Sequence, residues 1–394
     1  MAGMVRVLLV AALLISAAAC SLPGPSGEEL TMGQQLEGLL FWEQDEREER
    51  FPIMHELFPS HEVARGSRVN ALPAGRLLVP DWGDATTVAD YMDAHHIAGV
   101  MILQDGRVRL REFAPGVDEN THWTSFSVAK SITALLLGAA LEQGHVGSMD
   151  DRLVDYVPEL AEGAYADVNV RQLLTMTSGV RWNEDYEDAE SDVAQMYMQP
   201  CADDEAHILT YMKTLPAAHA PGEHWNYSTG ETDLLGILVQ RATGRTLADY
   251  LSETIWKPYG MATDGAWLAD ECDDSNIGGS GLSATLADYA RLGQFVLDGA
   301  RIDGRPVVDS DWLADATRVI QPLDGPDQGY GYLWWVDADG GYSATGIFGQ
   351  LIYIDPARKL VIAQMAAWPR ATSDELTAAR AAFIAAVRRA VDAG

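Results

Sequence analysis

The chain has 394 residues, 47% of them hydrophobic, and a formal net charge of −31. That is ample for a large core, either two domains or one large catalytic unit with a major insertion. The acidic balance, without a cluster of Lys and Arg, argues against a nucleic-acid partner, which requires concentrated positive charge against phosphate.

At the start of the chain, Arg6 precedes the apolar run Val7 to Ile15 and then the small residues Ala17-Ala18-Ala19 before Cys20. A short apolar core with small residues ahead of a cleavage point reads as a secretory signal, too short to span a membrane. The cysteine placed there resembles a bacterial lipobox, in which case Cys20 is the lipidated N-terminus and tethers the mature protein to a membrane. Residues 1–20 are therefore read as a lipoprotein-type signal peptide, and the protein as exported to the periplasm or cell envelope. An ordinary cleaved signal with an incidental cysteine is the alternative. Export would leave Cys201 and Cys272 in an oxidising compartment, where a disulfide between them is possible. Without Cys-x-x-Cys or zinc-type histidine spacing, no metal and no cofactor is expected.

Residues 21–50 read as a tether followed by a helical segment, with the charged run 43–50 as a solvated helix face. Domain-like sequence begins at 51, where Pro and Gly punctuation over residues 51–81 suggests an extended entry wrapping over the body. A short helix is expected over residues 86–95. Residues 97–104 and 107–113 flank Asp105-Gly106, a strong hairpin signal. An apolar helix follows from Ser127 to about Gln143, and further helical patterns cover residues 170–176, 206–214, 232–242, 247–255 and 284–298. Four short strands are expected over residues 331–336, 341–344, 349–354 and 359–365, and a C-terminal amphipathic helix over 373–393. Early and late strands bracketing a helical middle give an α+β architecture. One antiparallel sheet is built from both chain ends and covered by terminal helices, with an inserted, mostly helical lobe at about 145–300.

Chemistry concentrates at three places. Ser127 and Lys130 are three residues apart at a helix start, so the amine and the hydroxyl share one face. A neutral lysine there can take the hydroxyl proton and make a nucleophile for acyl transfer. A turn-rich loop, Pro221 to Gly230, carries Tyr227-Ser228-Thr229. A glycine-spaced strand entry, Ala344-Thr345-Gly346-Ile347-Phe348-Gly349-Gln350, would let backbone N–H groups approach a substrate oxygen.

In order and spacing, Ser127-x-x-Lys130, Tyr227-Ser228-Thr229 and Ala344-Thr345-Gly346 resemble the three motifs of serine β-lactamases and penicillin-binding proteins. The tyrosine version is similar to class C β-lactamases, D-Ala-D-Ala carboxypeptidases and their esterase relatives. Residues 173–186, 281–293 and 346–350, with Asp355-Pro356 and Ala367-Trp368-Pro369, look like the 6-aminohexanoate-dimer hydrolase and family VIII esterase branch. The resemblance implies Ser127 as nucleophile, Lys130 as base or proton relay, and Tyr227 as proton shuttle. It also implies an oxyanion hole from the N–H groups of Ser127 and Ile347, and substrate contacts at Tyr186, Thr229, Thr345 and Gly346. Three positions depart from the pattern. Ala344 stands where many β-lactamases have lysine, Thr229 where class C enzymes have asparagine, and Phe348 where some nylon-oligomer hydrolases have histidine. The first two count against β-lactam turnover and the third against nylon-dimer hydrolysis.

The expected function is an exported serine hydrolase that cleaves small esters or linear amides through a Ser127 acyl-enzyme. The alternatives are a β-lactamase or D-Ala-D-Ala carboxypeptidase, and a non-catalytic penicillin-binding-like sensor of cell-wall fragments. The many tryptophans, among them Trp182, Trp225, Trp334, Trp335 and Trp368, read mainly as core and lobe-interface packing.

Overall fold

A computed structural model describes residues 38–201, 205–323 and 328–394; the signal segment, Cys20 and residues 21–37 of the tether lie outside the described residues. Asp105 and Gly106 both take positive φ, 49° and 70°, the two-residue turn that an Asp-Gly pair favours. Across it Ile97–Gln104 pairs with Arg107–Phe113. Ile97–Gln104 pairs on its other side with Leu360–Ala366, a strand from the far end of the chain. The sheet continues through Gln350–Asp355, Tyr342–Gly346, Trp335–Asp337, Gln328–Tyr330 and Gln321–Pro322, eight strands in all and antiparallel throughout. It is one sheet joined from both chain ends, in a mixed α+β fold.

The central strands are buried at nearly every position because helices cover both faces. On one face Gly293 of the helix Leu286–Leu297 lies so close to the sheet that a Cβ would meet Val361 Cγ1 at 2.5 Å. Gln364 points to the opposite face, where its side-chain oxygen accepts a 2.8 Å bond from Tyr91 of the helix Val88–Ala94. Phe383 of the C-terminal helix Asp374–Asp392 stacks on Tyr91 at 4.6 Å, so both terminal helices share that face.

Three regions differ from the sequence reading. The lobe at 145–300 holds the helices Val170–Leu174, His207–Met212, Thr229–Thr243 and Leu247–Leu251, but also the strands Gly265–Leu268 and Leu282–Thr285. These join Ser60–Val63 and His122–Thr124 in a second sheet. Both are four residues long and buried at every position, so they lack the alternation that marks a strand in sequence. Residues 51–81 are not merely an extended wrap: Phe51–Ile53 is a 3₁₀ turn, Met54–Leu57 a helical turn and Ser60–Val63 a strand, with Phe51 and Met54 in the core. Nor is the charged run 43–50 wholly a solvated face. Arg47 of the helix Gln44–Arg50 is 8% exposed, and its guanidinium lies over the Phe348 ring at 5.2 Å.

Cys201 and Cys272 form a disulfide across a sequence separation of 71. It ties the segment after the helical turn Asp192–Gln195 to the loop after the strand Gly265–Leu268. A closed loop of this length is worth about 2–4 kcal/mol. Cys201→Ser with Cys272→Ser should lower the calorimetric melting temperature by on the order of 5 °C; an unchanged transition would show that the bridge carries no stability.

Candidate active site

The strand His122–Thr124 delivers the chain to Phe126, which takes the left-handed conformation (φ 44°), and then to Ser127 at the N-cap of the helix Val128–Glu142. That helix is buried from Val128 through Ala140, as its all-round apolar sequence requires. A left-handed phenylalanine costs about 1–3 kcal/mol and persists only where packing enforces it. Here the Phe126 ring lies 5.0 Å from Phe51 and 5.4 Å from Phe348. Phe348 is itself left-handed, at φ 58°. The residue before Ser127 and the residue after Ile347 are thus strained alike and braced against the same aromatic cluster.

Lys130 is 1% exposed and uses all three of its N–H bonds. It donates to Ser127 Oγ at 2.9 Å, to Thr229 Oγ1 at 2.8 Å and to the Gly279 carbonyl at 2.9 Å. Burial drives its pKa down to about 8, against the pull of Glu184 and Asp233. Gly279 can come this close only because it is glycine: a Cβ would meet Asp233 Oδ1 and the Thr229 carbonyl at 2.9 Å. Its own N–H is held by Asp233 at 2.5 Å, and Asp233 also accepts from Tyr197 at 2.6 Å.

Tyr227 completes the group. Its hydroxyl is within hydrogen-bonding reach of Ser127, and the Lys130 ammonium stands 5.2 Å from its ring centre. Burial, reinforced by Glu184, pushes the phenol well above its usual pKa, with the Ser127 contact opposing. The ring stacks on Trp335 at 5.6 Å and meets Tyr330 edge-on at 6.2 Å, which fixes its direction.

Glu184 is the group that sequence reading missed. Its oxygens accept from the Thr229 N–H at 2.9 Å, from Tyr186 at 2.6 Å, and from the Thr229 hydroxyl and the Trp182 indole. In sequence it is one acid among many in residues 183–190, with nothing to distinguish it. Thr229, expected at the substrate, lines the cavity at Ser127 and has its hydroxyl between Lys130 and Glu184. Cys201, His207 and Cys272 present donor atoms within 4.8 Å of one another, but the two sulfurs are bonded to each other and offer no thiolate.

Ile347 is the first residue of a 3₁₀ turn directly after the strand Tyr342–Gly346. Its amide and that of Ser127 occupy helix-start positions that lack an intrahelical acceptor. Gly346 sets their approach: a Cβ there would meet the Ser125 carbonyl at 2.5 Å and Phe126 Cβ at 3.1 Å. Two cavities meet at Ser127, Tyr186 and Ile347. The inner one, about 80 Å³, is walled mainly by apolar side chains including Leu39, Leu40, Met54, Val193, Met196 and Ile277. The outer one, about 380 Å³, holds Tyr227, Thr345, Gly346, Trp335, Trp368 and Arg380.

The beta-lactamase family model matches residues 85–387, and the chain belongs to that family. A 6-aminohexanoate-dimer hydrolase of Paenarthrobacter ureafaciens is 28% identical over 363 residues, covering 87% of this chain and 91% of the relative. An esterase of Burkholderia gladioli, EstB, is 31% identical over 159 residues, 38% of this chain and 40% of its own. Among solved structures, a Bacillus anthracis protein assigned as a 6-aminohexanoate-dimer hydrolase superposes with a TM-score of 0.77 at 22% identity, over 86% of this chain and 93% of that one. The chain is a serine hydrolase of the beta-lactamase fold.

Gly346→Ala should push the Ile347 amide away from Ser127. Loss of one oxyanion donor corresponds to about 10²–10³-fold in kcat, and undiminished ester turnover in a folded variant would show that this amide is not used.

Proposed function

We propose that the protein hydrolyses small carboxylic esters and linear amides through an acyl-enzyme on Ser127. The observation that carries this reading is the buried Lys130, held 2.9 Å from Ser127 Oγ with its pKa lowered to about 8. Near neutral pH roughly a tenth of Lys130 is neutral and able to take a proton. Tyr227, pushed well above the phenol range, stays protonated and is the poorer base. Lys130 therefore accepts the Ser127 proton as Oγ bonds to the substrate carbonyl carbon, and the resulting oxyanion is received by the Ser127 and Ile347 amides. The Tyr227 hydroxyl passes its proton to the leaving oxygen or nitrogen as that bond breaks, and regains one from Lys130. Water then attacks the acyl ester by the reverse route, releasing the acid and restoring Ser127.

The inner cavity receives the acyl chain. At about 80 Å³ it is roughly half the apolar cavity that holds benzene in an engineered lysozyme, so short acyl groups fit best. Leu39, Leu40 and Met54, which close it, come from the segment ahead of the family match. The larger outer cavity takes the leaving portion, since Tyr227 faces it. The name of the Paenarthrobacter relative, a hydrolase of an amide-linked dimer, supports amides beside esters. We further infer export, which the disulfide supports, and lipidation at Cys20; labelled fatty acid absent from the full-length protein, or unaffected by Cys20→Ala, would refute the lipidation.

Incubation with p-nitrophenyl butyrate and with nitrocefin ranks the readings. Ester turnover abolished by Ser127→Ala is the expected result, and faster nitrocefin than ester turnover would favour a β-lactamase instead. Leu40→Ala should move the preferred acyl length upward by one or two carbons, read as kcat/KM across p-nitrophenyl esters. The kcat/KM profile should rise through a limb near pH 8 as Lys130 loses its proton. Glu184 holds that pKa up, so Glu184→Gln should move the limb to lower pH; a limb that stays or rises would remove Lys130 from the role of base.

A further inference from the structure

The loop that carries Tyr227 hangs on a short stretch far from it in sequence. The Gly222 N–H donates to the Thr177 carbonyl at 2.7 Å, and the Asn226 N–H to the Met176 carbonyl at 2.9 Å. The Ser228 N–H donates to Met176 Sδ at 3.4 Å. The amides on either side of Tyr227 are therefore both held by Met176, which is buried and left-handed, at φ 54°. Two residues on, the Ser178 hydroxyl donates to Glu231 Oε1 and accepts the Val180 N–H at 3.0 Å. The Glu231 N–H in turn donates to Ser228 Oγ at 3.3 Å. Met176, Ser178, Glu231 and Ser228 thus close a hydrogen-bonded circuit, all four of them buried, beside Tyr227.

Glu231 takes no part in the proton transfers above, yet it is 2% exposed. Tyr165 supplies a second donor to Oε1 at 3.4 Å, and among the described residues no donor reaches Oε2. Burial pushes its pKa up to about 8 against the Ser178 and Tyr165 bonds, and Glu184 adds to the rise. Near neutral pH the group is mostly an uncharged acid, so its part is to bond rather than to carry charge. A buried polar network specifies one backbone arrangement only while its links are made. We propose that Glu231 is a positioning residue for the Tyr227 proton shuttle, closing the circuit that fixes the backbone on both sides of the phenol. Trp335 and Tyr330 set the tilt of the Tyr227 ring, and the circuit sets the point from which it projects toward Ser127. Opening the circuit leaves the Ser127–Lys130 bond in place and lets Tyr227 drift from the leaving atom. This inference rests on the acyl-transfer reading above, because it takes Tyr227 as the donor to the leaving group.

The probes are ethyl butyrate and p-nitrophenyl butyrate, with kcat/KM followed in the wild type, Glu231→Ala and Glu231→Gln. A p-nitrophenolate departs without a proton near neutral pH, whereas ethanol needs the one that Tyr227 delivers. Glu231→Ala should lose about 10- to 100-fold on the ethyl ester and about threefold or less on the nitrophenyl ester, because a misplaced general acid forfeits its share of the rate. Glu231→Gln keeps an uncharged oxygen for Ser178 and should recover most of the ethyl-ester turnover. Equal losses on the two esters in Glu231→Ala, or none on either, would overturn the positioning role, as would a Gln variant as slow on the ethyl ester as the Ala one. If Glu231→Ala does not fold, Ser178→Ala opens the same circuit by one hydroxyl: the same selective loss is expected, and equal losses there also overturn the proposal. A wild type that cleaves neither ester would instead bring down the acyl-transfer reading, and the positioning role with it.

Discussion

Everything at this site depends on an ammonium group taken out of water and given three partners. Lys130 bonds to Ser127, Thr229 and Gly279, so the helices Val128–Glu142 and Thr229–Thr243 and the loop before the strand Leu282–Thr285 share one hub. Desolvation lowers the energy needed to remove its proton, and Glu184 and Asp233 limit how far. Without those acids the lysine would be neutral more often but less well placed. With more of them it would remain a cation and never act as a base. The balance between burial and nearby charge, more than the presence of a lysine, makes the group serviceable near neutral pH.

The second constraint is steric. The amides of Ser127 and Ile347 come from distant stretches, and each sits beside a phenylalanine forced into the left-handed region. Phe51 touches both rings, at 5.0 Å from Phe126 and 5.3 Å from Phe348. The N-terminal segment therefore does more than decorate the fold. Through Phe51 it braces the backbone beside Ser127 and Ile347, and through Leu39, Leu40 and Met54 it closes the inner cavity. Phe348, set against a histidine in the sequence comparison, is here a packing element under Arg47.

The contrast with the sequence follows from range. Ser127 and Lys130 are legible because three residues along a helix fix a face, and Asp105-Gly106 because two residues suffice for a turn. The main sheet is legible because both sets of strands have turn residues at their ends. Glu184, Gly279 and Phe51 acquire meaning only through contacts with residues far away in the chain, and nothing in their local pattern differs from a loop acid, a loop glycine or a core aromatic. The strands Gly265–Leu268 and Leu282–Thr285 were hidden for a related reason, since burial on both sides removes the polar-apolar rhythm.

The joining of the first hairpin to the last strand has a consequence for synthesis. Ile97–Gln104 finds its second neighbour only in Leu360–Ala366, and the turn at Ile347 lies just one strand earlier in the chain. Loop closure over such a span is slow and comes late. A nascent chain can thus form the Ser127 helix and its lysine contact early while lacking the Ile347 turn that completes the cavity there. The candidate site therefore stays incomplete until nearly the whole length of the chain has emerged.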